Sequence, residues 1–284
     1  MGKIILDGAV GTTLWDIAAS HGVEKVPVWR YNIEHPEFVA EIVNRYIESG
    51  ADYVQANTFG ANRPAVERSS KYDVRDVVAS AMKIARETAE GKDVKITLSC
   101  GPLMQMLEPY GDLEEDECGD IYEEIFDAAM PYKPDAIFLE TFIDLGMMRV
   151  AAERAVTKGA PVFCSMSFEK VGKTMFGNSV EDVVKTLEPL GIASIGLNCS
   201  LGPDAAIPVI KEFSEKTSLP LFFKPNAGLP ISKGGGQEAS AIGPEEFAEM
   251  VAPAFPYATY IGGCCGSDWR YVKAIKAKLK EKGY

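Results

Sequence analysis

The sequence predicts an α/β chain wound as a (β/α)8 TIM barrel, and three observations carry that prediction. Eight short apolar runs recur along the 284 residues, each followed by helical sequence. The runs are rich in Ile, Val, Phe and Leu without clean alternation, as strands buried on both faces are. No Gly-x-Gly-x-x-Gly follows an early strand, so the rival doubly wound sheet lacks its dinucleotide turn. The glycines of Asp7-Gly-Ala-Val-Gly11 have the wrong spacing for one.

The first run, 3–8, starts almost at the N-terminus. The others are 53–59, 94–101, 136–142, 162–168, 194–199, 221–227 and 260–265. Between them lie amphipathic stretches. Residues 36–48 set Phe38, Ile42, Val43, Tyr46 and Ile47 on a helical period, and 180–190 and 244–250 behave alike. Residues 269–280 carry Val272, Ile275 and Leu279 on one face and lysines on the other. The glycine-rich segment 232–240 follows the seventh run and reads as a loop on the active face. The acidic run 113–120 follows the third and reads as a solvated surface loop. No linker and no internal repeat divides the chain, so residues 1–284 are expected to form a single domain.

The charge narrows the function. A formal net charge of -12 repels phosphate backbones, so nucleic acid is not expected as a partner. No apolar run approaches the ~20 residues that span a bilayer, so no membrane partner is expected. The apolar stretch at the N-terminus is too short for a secretory signal, which makes the expected location cytoplasmic. Six cysteines are too few for a disulfide scaffold, and only His21 and His35 are present. A transition-metal site would be built from sulfur, which favours zinc.

Barrel chemistry sits at the C-terminal ends of the strands. Here those ends are polar: Asp7, Asn57 and Thr58, Glu140 and Thr141, Asn198 and Cys199, Asn226, Cys264 and Cys265. Such a ring around one mouth reads as a binding site. Cys100, Cys118 and Cys164 need no role beyond packing. The doublet Cys264-Cys265 differs. Adjacent strand side chains point to opposite faces, so two neighbouring thiols meet one ion only where the chain bends. Gly262, Gly263 and Gly266 are expected to supply that freedom. With Cys199 they make a three-thiolate zinc site that keeps one position open, where a substrate thiol would ionise.

Asp7 and Glu140, the candidate catalytic acids, are placed to bind a substrate ammonium, with a cap or surface role as the alternative. Gly8, Thr12, Thr13 and the amides that follow Gly8 can hold a carboxylate at a helix start. An α-amino acid bearing a thiol fits such a site. The aromatic residues Trp15, Trp29, Tyr31 and Phe59 read either as packing or as a cage for a cation.

These motifs resemble the homocysteine S-methyltransferase family, above all the N-terminal homocysteine-binding barrel of cobalamin-dependent methionine synthase. The runs that carry the resemblance are Asp7-Gly-Ala-Val-Gly-Thr-Thr13, Ala56-Asn-Thr-Phe-Gly-Ala61, Glu140-Thr-Phe-Ile-Asp144, Gly196-Leu-Asn-Cys-Ser-Leu-Gly-Pro203, Pro225-Asn-Ala-Gly-Leu-Pro230 and Gly262-Gly-Cys-Cys-Gly266. The resemblance implies that Cys199, Cys264 and Cys265 bind Zn2+, which activates the homocysteine thiol, and that Asp7 and Glu140 hold its amino group. Asn57, Thr58, Asn198 and Asn226 match positions lining the mouth. The chain ends soon after the doublet, without folate or cobalamin modules and without the arm of betaine-dependent relatives. The expected donor is therefore methylcobalamin carried by a separate corrinoid protein. S-methylmethionine, S-adenosylmethionine or betaine are the alternative donors. A non-catalytic module that binds a thiol or a corrinoid protein, and a zinc-free barrel with buried thiols, also remain open.

Overall fold

A computed structural model of the chain describes residues 2–169, 171–228, 231–233, 236–238 and 242–284. Eight strands appear at the eight predicted runs: β1 Ile4–Ile5, β2 Tyr53–Gln55, β3 Lys95–Cys100, β4 Ala136–Phe142, β5 Val162–Met166, β6 Ser194–Asn198, β7 Leu221–Lys224 and β8 Tyr260–Ile261. They form one parallel sheet in the order β1-β8-β7-β6-β5-β4-β3-β2. A parallel bridge between Leu6 and Tyr53 joins the two ends and closes the barrel. Most strands are shorter than their runs, because the polar C-terminal residues leave the ladder to line the mouth.

Helices follow the strands: α1 Val10–Ser20, α2 Pro36–Ser49, α3 Val74–Thr88, α4 Glu115–Ala129, α5 Leu145–Ala155, α6 Val180–Leu187, α7 Pro203–Lys216, α8 Pro244–Val251 and α9 Trp269–Glu281. Their starts are often marked by side-chain caps. Asp73, Asp144, Ser179 and Asp268 each accept from a first-turn amide, a contact worth about 1 kcal/mol. At α1 the cap position is Ala9, which offers no such bond.

The acidic run 113–120 departs from expectation. Most of it is the first turns of α4 rather than a loop. Glu115, Asp116 and Glu117 sit where the helix dipole favours negative charge, and Cys118, Ile121, Tyr122, Ile125 and Phe126 turn inward on a helical period. Of the segment 232–240, the backbone at Ile231–Lys233 pairs antiparallel with Gly236–Glu238. Residues 234, 235, 239 and 240 lie outside the described residues, as do Leu229 and Pro230 of the asparagine motif. Among the described residues no helix is long and apolar enough to cross a membrane.

The strands bury two faces. Val54, Leu98, Ile137, Leu139, Ile195, Leu197 and Phe223 point outward into one core shared with the helices. Tyr53, Phe138, Phe163 and Phe222 point inward with Leu6 and Ala136, and Tyr260 packs against them. The Phe138 and Phe163 rings stack at 4.8 Å, and Phe138 meets Phe222 edge-on at 5.3 Å. This aromatic plug fills the lower barrel. Strand side chains repeat every two residues, so the next inward positions are Gln55, Glu140, Ser165 and Lys224. A polar floor therefore rests on an apolar plug, and that floor positions the site.

Candidate metal and substrate site

The cysteines converge where two strands end. Cys199 follows β6 with φ of 59°, a left-handed conformation that a non-glycine residue seldom adopts. Its amide donates to Lys224 O at 3.1 Å. The doublet follows β8. The Cys264 amide donates to Pro225 O at 2.8 Å, the Ala227 amide to Cys265 O at 2.9 Å, and the Ser267 hydroxyl to Cys264 O at 2.7 Å. The expected glycine freedom divides into two roles. Only Gly266 has positive φ, 81°. Gly262 serves close approach instead, since a Cβ there would lie 2.6 Å from Asp7 O.

Sγ of Cys199 lies 3.7 Å from Sγ of Cys265, and all three sulfurs lie within 4.8 Å of one another. Tetrahedral zinc with Zn–S near 2.3 Å needs sulfurs ~3.8 Å apart, so the cluster fits the ion. Its electrostatics fit as well. Hydrogen bonds from Cys264 and then Cys265 hold the Cys199 thiol down to about 3. The same contact with Cys199 pushes Cys265 up to about 11 and Cys264 well above the ordinary thiol range. Three adjacent thiolates repel, and a divalent cation among them removes that penalty. Beside Cys199, Asn226 has its buried Oδ1 without a hydrogen-bond partner, an oxygen donor suited to a cation nearby.

A cavity of about 300 Å³ opens against the cysteines. Its wall includes Cys199, Cys264, Cys265, Glu140, Thr141, Asn57, Thr58, Gly8 and Thr12. Other expected residues stand behind it. Thr13 is buried with its hydroxyl toward the Tyr46 phenol. Asn198 is fully buried and links the floor: its Nδ2 donates to Thr141 Oγ1 at 2.7 Å, Glu140 Oε2 at 3.4 Å and Cys264 Sγ at 3.8 Å. Asn57 and Thr58 use Nδ2 and hydroxyl within the chain, on Val28 O and Asn32 Oδ1, and on Ser99 O.

The two acids have unequal surroundings. Glu140 Oε1 accepts from Ser99 Oγ at 2.6 Å and from Gln55 Nε2, which leaves Oε2 as the freer oxygen. Burial pushes the Glu140 carboxyl up, against the opposing pull of Lys224. Asp7 differs from expectation. Its Oδ1 takes Lys224 Nζ at 2.8 Å and its Oδ2 takes the Gln55 amide at 2.7 Å, so it faces the chain and is not on the cavity wall. Removing one partner of such a buried pair costs about 3–5 kcal/mol.

Lys224, Gln55 and Ser99 line the cavity too, and reading the strand ends one residue at a time misses them. For Gln55 and Lys224 the signal is the two-residue repeat, which places each two positions after an inward aromatic residue, whereas Ser99 follows Thr97 and carries no such mark. Of the four aromatic residues, Trp15 and Phe59 line the cavity, whereas Trp29 and Tyr31 are buried in the core.

Residues 4–279 match the family model described as homocysteine S-methyltransferase. The methionine synthase of Mycobacterium tuberculosis (strain ATCC 25618 / H37Rv) is 31% identical over 297 aligned positions, covering 96% of this chain and 24% of that protein. The methionine synthase of Mycobacterium leprae (strain TN) is 30% identical over the same shares. The chain thus spans about a quarter of the length of these curated relatives. Among solved structures, the metallated form of the homocysteine methyltransferase MmuM from Escherichia coli superposes with a TM-score of 0.79 at 19% identity. That likeness covers 98% of this chain and 96% of that one, and it is a likeness of fold.

Proposed function

This chain belongs to the homocysteine S-methyltransferase family, and from that premise we propose that it transfers a methyl group to the thiol of homocysteine, giving methionine, at a zinc ion held by Cys199, Cys264 and Cys265. The observation that carries the reading is the convergence of three sulfurs within 4.8 Å on the wall that also presents Glu140. The methionine synthases it resembles over 96% of its length support the same product, and the family description supports the acceptor.

When bound, the metal supplies Lewis acidity that keeps an incoming thiol ionised at neutral pH. The chain's own residues position the rest. Glu140 Oε2 accepts from the substrate ammonium, while Ser99 and Gln55 hold Oε1 and so fix the carboxylate plane. Asn198 ties Glu140 to Cys264, which sets the distance between the ammonium and the reacting sulfur. The uncapped first turn of α1 lines the same cavity and offers amide donors.

For the donor, the site supports a small methylated onium compound such as S-methylmethionine, with S-adenosylmethionine and betaine in the same class. The cavity's 300 Å³ admits an amino-acid thiol beside a small donor, and Phe59 offers a ring face to a cationic methyl group, while the Trp15 ring already carries the Lys25 ammonium at 3.7 Å. A methyl-corrinoid protein is the second reading. Phe59, Met104, Met106, Tyr110, Val171 and Met175 are exposed in loops after β2, β3 and β5, an apolar rim that suits a macromolecular donor. A donor screen at fixed zinc and homocysteine decides between them. Turnover with methylcobalamin alone favours the corrinoid reading, and binding without turnover across all donors favours a non-catalytic module.

A further inference from the structure

The least expected group in the cavity is a lysine. Lys224 ends β7, is 1% exposed, and lines the cavity together with Glu140 and Cys264. An ammonium has three N–H donors. Asp7 Oδ1 accepts one of them, and no other hydrogen-bond acceptor contacts Nζ among the described residues. Donors left unmade in a buried setting are costly, and a ligand oxygen would satisfy them.

We infer that Lys224 is a specificity-determining residue whose ammonium receives the α-carboxylate of the amino-acid thiol, opposite the α-ammonium received by Glu140. The inference rests on the thiol-acceptor reading above. A cation and an anion on one cavity wall match the two charges of a zwitterion. Because Lys224 occupies Asp7, only one of the two acids remains for the substrate ammonium. The first turn of α1 is the competing anion site. It offers backbone amides at a helix end, whereas Lys224, its charge balanced by Asp7, offers two further N–H donors on the wall that carries Glu140.

The test compares Lys224→Met with the wild type, both zinc-loaded, by calorimetric dissociation constants and KM for three thiols. These are homocysteine, mercaptopropylamine, which lacks the carboxylate, and mercaptobutyrate, which lacks the amino group. The variant is expected to weaken homocysteine and mercaptobutyrate by about 10- to 100-fold, and mercaptopropylamine by about two-fold or less. Lys224→Arg should restore part of the loss. Met leaves Asp7 buried without its partner, so the Asp7→Asn, Lys224→Met double variant is measured alongside, with thermal unfolding to verify the fold. It should show the same ligand pattern. Equal losses for all three thiols, or none, would overturn the inference and return the carboxylate to α1. A wild type that binds no thiol would instead overturn the acceptor reading beneath it.

Discussion

Cys199 Sγ and Cys265 Sγ stand 3.7 Å apart although 66 residues separate them in the chain. The spacing depends on left-handed backbone at Cys199 and on the turn that carries the doublet away from β8. Zinc should therefore bind at about one ion per chain. Cys264→Ser should lose the ion and turnover while keeping the barrel, because the thiol lies beyond the strand ladder. Elemental analysis and circular dichroism read both. Full zinc content in that variant would refute the assignment.

The six thiols should sort by reactivity. Burial pushes Cys118 up to about 12, and Cys100 and Cys164 higher still. Cys199 is the thiol held low. In metal-free folded protein, iodoacetamide should label Cys199 first, with label confined to the three site cysteines. Zinc should suppress it. Peptide mapping that finds Cys100, Cys118 or Cys164 labelled before unfolding would contradict the burial argument.

Glu140 should give the homocysteine KM a pH dependence. Burial raises its folded-state pKa above the ordinary 4.5. That shift favours the fold below the ordinary value, and the contribution is lost as pH rises through the raised one. Ammonium binding needs the ionised form, so KM should fall as pH rises through the raised value. Glu140→Gln should flatten this limb and raise KM by about 10- to 100-fold. An unchanged profile at constant zinc occupancy would remove Glu140 from substrate binding.

Gly262→Ala should damage the metal centre without touching a ligand. The added Cβ meets Asp7 O at 2.6 Å and Leu6 Cβ at 2.9 Å. Overpacking of this kind costs about 1–3 kcal/mol. Zinc affinity and Tm should fall together. Gly2→Ala, with nothing within 4 Å, is the matched control. An unaffected Gly262→Ala protein would show that the β1–β8 contact is slack.

The eight strands and the three sulfurs were legible because each leaves a local mark: an apolar run, a thiol doublet that only a bend can use. Lys224 and the sequestration of Asp7 were not. A carboxylate at a strand end looks the same whether it faces a ligand or an internal ammonium 217 positions away. The partner becomes visible only when Tyr53 and Gln55, Phe138 and Glu140, and Phe222 and Lys224 are taken in pairs, as plug and floor of one barrel. The acidic start of α4 misled for a related reason, since its charges concealed the buried period of Cys118, Ile121 and Tyr122.

The closing bridge between Leu6 and Tyr53 bears on the order of assembly. β1 and β8 are two residues each, and they pair across nearly the whole length of the chain. Contacts of such long range form late, after local helices and adjacent strands. The doublet reaches Cys199 by another route, through β7, which pairs with both β6 and β8, so the three sulfurs can meet before β1 docks. Metal uptake during refolding should then report the docking of β6, β7 and β8, lagging the recovery of helical signal but ahead of the β1 pairings that close the barrel. The amides along β1 and β8 should be the first of the barrel to exchange when the ion is withdrawn.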